Sequence, residues 1–81
     1  MNEPDLIADL NAEDDEGFGW SLLREARSPD RITVGAMVLA GNEQGVAVAR
    51  IVAVDPDGQV HFVVLPGPVA KNRHLLGHQV A

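Results

Sequence analysis

The sequence predicts a mainly β (α+β) domain, either a small barrel or a curled three- to five-stranded antiparallel sheet with short flanking helices. Three observations carry that expectation. From Arg31 to Leu65 the chain is built of apolar, β-branched runs with a two-residue period. Two turn signals, GNEQG and DPDG, divide those runs. Both faces of the longest run are apolar, which a flat sheet wetted on one side does not tolerate. The sheet must therefore curl on itself, or be covered by helices or a second copy. With 81 residues there is room for one small domain.

The elements follow in order. Residues 1–16 form an acidic leader, in which EPDLIADL places Leu6, Ile7 and Leu10 at helical spacing behind Pro4. So short a helix is marginal alone; the leader is either a solvated, flexible tail or a short helix docked on a surface. Residues 17–81 form the domain. WSLLREAR reads as a short amphipathic helix with Trp20, Leu23 and the Arg27 stem on one side, and Ser28-Pro29 ends it. Trp20 is assigned to core packing or to an interface. RITVGAMVLAG, GVAVARIVAV and QVHFVVL are three strands of an antiparallel meander. Along the second, Val46, Val48, Val52 and Val54 share one face with Arg50, while Ala47, Ala49, Ile51 and Ala53 share the other. Along the third, Val60, Phe62 and Val64 oppose His61, Val63 and Leu65. GPVAKNRHLLG then supplies a helix at about residues 68–76, stopped by Gly77, with Val69, Leu75 and Leu76 closing the barrel.

Composition narrows the classes of function. The net charge of −6 is uneven, because seven of the twelve acids and none of the six bases lie in residues 1–16. The remainder is near neutral. No apolar run approaches the roughly 18 residues that span a bilayer, so no membrane role is expected. There is no cysteine, hence no disulfide or thiolate site. Without a signal peptide pattern, a cytoplasmic location is the default expectation. Ten alanines, eleven valines and a single lysine against five arginines fit a high-GC genome such as an actinobacterium.

The stretch TVGAMVLAGNEQGVAVARIVAVDPDGQVHF, in its order of glycine, strand, glycine-rich turn, long strand, turn and strand, resembles a small Src-homology-3-like (SH3-like) barrel. It is similar in rhythm to the KOW modules of ribosomal and transcription-elongation proteins. The resemblance covers roughly residues 33–62 and implies binding of nucleic acid or protein rather than catalysis. The chain departs from that pattern at Ala36, where such modules often carry an acid, and in the turn Gly41–Gly45, which holds Glu43 but no base. LPGPVAKNRHLL resembles small actinobacterial proteins, a likeness that implies no activity.

The chemistry open to these residues is limited. Ser21, Ser28 and Thr33 are the only hydroxyl nucleophiles among serine, threonine and cysteine. GFGWS is neither a complete nucleotide loop nor a nucleophile elbow. No histidine has an adjacent carboxylate in sequence, so no enzyme and no cofactor are expected. His74 and His78 are four apart, but Gly77 interrupts the helix that would pair them as metal ligands, and His61 or a distant carboxylate would have to add a third. In DPDG the glycine comes fourth, too early for a calcium loop, so a turn is expected and no metal site. The expected partner-binding residues are Trp20, Arg50, Lys71, Arg73 and His74. Two partner classes fit them: another protein or a second copy of this chain, and, through the four basic residues, weakly bound nucleic acid. In the second case Arg50 has alternatives in Asp55, Asp57 or the leader.

Overall fold

The computed structural model describes residues 3–78; the expected leader's first two residues and the expected domain's last three lie outside them. The chain is mainly β. The meander is present as β3 (Met37–Asn42), β4 (Gly45–Val54) and β5 (Gln59–Val64). Their pairing is antiparallel, with Asn42 opposite Gly45 and Val54 opposite Val60. GNEQG becomes a two-residue loop in which the Asn42 side chain accepts the Gln44 N–H at 2.8 Å. DPDG turns as expected, with the Gly58 N–H donating to the Asp55 carbonyl at 2.9 Å.

Two further strands come from segments whose spacing predicts helix. Leu6–Ile7 form β1, which pairs in parallel with β3, and Gly19–Leu22 form β2, which pairs with β5. The sheet order is β1-β3-β4-β5-β2, so β1 and β2 are the two edges. They meet: Ser21 Oγ on β2 donates to the Ile7 carbonyl on β1, the Arg27 N–H donates to the Asp5 carbonyl at 2.9 Å, and Leu6 bridges Ala26. Five strands thus curl into a nearly closed barrel, which deals with the two-sided apolar pattern and leaves little free edge.

The segment read as an amphipathic helix, WSLLREAR, is accordingly a strand followed by a 3₁₀ turn at Leu23–Glu25. Tertiary pairing overrides local spacing here, because Gly19 must lie flat under Phe62. A Cβ at Gly19 would sit 2.4 Å from that ring. The acidic leader likewise joins the fold: Leu6 and Ala8 are buried, and the Asp5 carboxylate accepts the Leu39 N–H at 2.9 Å.

Inside the barrel, Leu6, Ile51, Val60 and Phe62 interlock with Ala8, Ala36, Ala40 and Ala49. Small residues let the walls of so narrow a barrel approach. The strict alternation expected along β4 fails at a bulge between Ile51 and Ala53, after which Val54 packs against the core. Removing the edge-to-edge hydroxyl by Ser21→Ala is expected to cost about 0.5–1.5 kcal/mol of stability, measured by urea unfolding.

At the C-terminal end the helix is shorter than expected. α1 spans Val69–Asn72, and a 3₁₀ turn follows at Arg73–Leu75. This segment does not plug the barrel. α1 packs on β4 and the chain then pairs with β3 beyond it, where Gly77 N–H donates to the Met37 carbonyl and Met37 N–H to the His78 carbonyl. Met37, Leu39 and Val48, on the other face of β3 and β4, are buried yet stand apart from the barrel core. No helix among the described residues is long and apolar enough to cross a membrane.

Candidate functional site

The outer face of the sheet collects most of what sequence reasoning singled out. On β2, β4 and β5 the inward positions are Ser21, Ala49, Ile51, Val60 and Phe62, all buried. Alternation therefore turns Trp20, Arg50, His61 and Val63 outward. Trp20 lies opposite His61 across β2 and β5, and Arg50 lies opposite Val63 across β4 and β5. Trp20 is 37% exposed, which corrects its assignment to core packing. The reason is parity: Phe62 takes the interior, its partner Gly19 must be inward, and the next residue faces out.

Arg50 is half-buried and also opposes Met37, whose backbone is bonded to Gly77 and His78. The C-terminal segment carries Lys71, Arg73 and His74, all exposed, and its helix α1 packs on β4, the strand of Arg50. The structure thus returns the chain at Gly77 and His78 to Met37, the residue opposite Arg50, with Trp20 two strands away on the same outer surface. Gly77 adopts φ +83°, a left-handed turn that separates His74 from His78, so the two do not share a helix face.

Several of the carboxylates that were alternatives for Arg50 are engaged elsewhere. Glu3 and Asp5 pair with Arg27 at 3.1 and 3.4 Å, and Asp55 pairs with His61. Among the described residues, Arg50 has no ion-pair partner. Of the leader's acids, Glu3 and Asp5 go to Arg27 and Asp14 to His61, and among the described residues none pairs with a C-terminal base. These Arg27 pairs are exposed and each contributes at most about 1 kcal/mol.

One arrangement was not foreseen. Although no carboxylate adjoins a histidine in sequence, both nitrogens of His61 meet one: Nδ1 is 2.7 Å from Asp14 and Nε2 is 2.9 Å from Asp55. Asp14 belongs to the connection from β1 to β2, where its other oxygen accepts the N–H groups of Glu16 and Phe18 at 2.8 and 2.9 Å. The hydrogen bond to Asp55, then that to Asp14, favours the imidazolium and outweighs burial, raising the His61 pKa above its ordinary 6.5. For Asp14, burial opposes ionisation, but hydrogen bonds from Phe18, His61 and Glu16 together hold its pKa below the ordinary 3.8.

Both shifts stabilise the fold, with opposite dependences on pH. His61 contributes fully below pH 6.5 and loses its contribution as pH rises through its elevated folded value. Asp14 contributes fully above pH 3.8 and loses its contribution as pH falls through its depressed one. Both act between those limits.

The Asp55 contact was within reach of the sequence. The DPDG turn fixes the β4–β5 register, with Ala53 opposite His61, and Asp55 stands on the diagonal. Asp14 was not, because its approach depends on β2 pairing with β5. Compared with known proteins, the chain matches no family model, no curated protein and no solved structure.

Proposed function

We propose that this protein is a non-catalytic binding module that engages an acidic, leucine- or aromatic-bearing segment of another protein on its outer sheet face. The observation that carries the reading is Arg50. It is a half-buried arginine on a strand, without a carboxylate partner among the described residues, separated from the exposed Trp20 by the half-buried Val63. Arginine and tryptophan are common anchors at interfaces, since both combine a flat apolar surface with a polar group. Lys71, Arg73 and His74 border this face and supply positive charge for an acidic partner, in contrast to the chain's net charge of −6.

Trp20→Ala and Arg50→Glu provide the test, with a synthetic Asp/Glu-rich peptide carrying one leucine and one phenylalanine as the probe. Each substitution is expected to weaken binding by roughly 5- to 30-fold, the range of an interface anchor. Both variants should remain folded, with a stability loss of about 0.5–3 kcal/mol, the ordinary range for point substitutions. Wild-type affinity in both variants would remove the proposed face. A KOW-type role remains distinguishable, because short RNA or DNA would then bind in place of the peptide and release steeply with salt.

A further inference from the structure

His61 ties together two segments that no strand pairing joins, the connection from β1 to β2 through Asp14 and the β4–β5 turn through Asp55. We propose that His61 is a proton-operated latch, which holds both carboxylates as an imidazolium and lets go of Asp55 when it loses its proton.

Donors and acceptors decide which contact opens. An imidazolium donates from both nitrogens, and here each faces a carboxylate oxygen within 3 Å. A neutral imidazole has a single N–H, so one nitrogen then turns a lone pair toward a carboxylate and that contact must open. Asp14 is the better held: its side chain is 12% exposed, and two backbone N–H groups fix its second oxygen. Asp55 is 43% exposed, and among the described residues its carboxylate bonds only to His61. The neutral ring therefore keeps its N–H on Nδ1 toward Asp14, and Asp55 turns out into water.

The surroundings favour the closed state at low pH. From β2 the ring faces Trp20 and from β4 it faces Ala53, neither of which is charged. The two latched segments add Asp9, Glu13, Asp15, Glu16 and Asp57 and contain no base. The Asp57 carboxylate accepts the Gln59 N–H within the same turn. Because Trp20 stands directly across from His61, the latch changes the surface beside that ring. Its bearing on partner binding rests on the function proposed above, whereas the latch itself does not.

The test is an NMR pH titration of the full chain, with His61 assigned by comparison with His61→Gln and with Trp20 fluorescence as a second readout. The expected result is a His61 midpoint above 6.5, with the Asp55 and Gly58 amides and Trp20 fluorescence changing at that midpoint. The Glu16 and Phe18 amides stay in place. Asp55→Asn, which leaves the Asp14 cap intact, should lower the midpoint and abolish the response of the turn. A midpoint at or below 6.5, a turn that ignores the titration, or equal movement at Glu16 and Phe18 would each overturn the latch.

Discussion

Leu6→Ala is expected to destabilise the protein by about 2–5 kcal/mol, the cost of emptying a fully buried leucine site. The side chain is 0% exposed although it belongs to a two-residue strand near the N-terminus. It packs with Phe62, Ile51 and Val60, and its backbone pairs with Ala40 on one side and bridges Ala26 on the other. A domain of this size has roughly 5–10 kcal/mol of stability in total, so a large share depends on one residue of the acidic segment. Ile7→Ala is the control. Ile7 faces out and is 51% exposed, so its loss should cost no more than about 0.5 kcal/mol. Urea unfolding of the two variants measures the difference. Equal, small losses would mean that β1 does not close the barrel.

Gly41→Ala is expected to be as damaging, at roughly 2–6 kcal/mol, by strain rather than by cavity. Gly41 stands in the middle of three strands, opposite Ile7 on β1 and Val46 on β4. Its φ of +146° is one that L side chains rarely adopt, and an added Cβ would lie 2.2 Å from the Gly45 carbonyl oxygen and 2.7 Å from the Val46 Cα. Those are backbone atoms, which cannot rotate away, so the β3–β4 hairpin has to open. Gly17→Ala makes the contrast. Its φ is +85°, but a Cβ there meets nothing within 4 Å, and only the conformational cost of about 1–2 kcal/mol remains. Circular dichroism melts of both variants, with the larger fall in Tm at Gly41, provide the check.

The legible part of the fold was the part whose information is local. β3, β4 and β5 follow from alternation, and their turns follow from Asn42 and from the DPDG sequence. The demand that two apolar faces be covered correctly pointed to a curled sheet. β1 and β2 were hidden for a physical reason. A two-residue strand has no period to read, and Leu6, Ile7 and Leu10 happen to match a helical one. Trp20 and Leu23 do the same in the next segment. What decides their structure is non-local, namely the open flank of β3 and the need for a glycine over Phe62. The bulge after Ile51 was invisible for the same reason, since it reconciles β4 with a curved neighbour.

The candidate site divides along the same line. Arg50 and the C-terminal bases were legible as polar positions in or beside an apolar sheet, and the chain beyond those bases returns to Met37, opposite Arg50. Trp20 was chosen as a possible anchor, but its outward direction depends on a pairing the sequence does not display. The contact between His61 and Asp14 spans 47 positions and requires β2 to lie beside β5.

The proposed face is tested most directly by a residue-resolved NMR titration of the whole chain at low salt, with the acidic peptide in one series and short RNA and DNA in another. Shifts are expected at Trp20, Arg50, Lys71, Arg73 and His74 on adding the peptide, and none of comparable size with either oligonucleotide. Shifts at the four basic residues with nucleic acid alone, reversed by salt, would contradict it, as would a peptide that leaves all five positions unmoved.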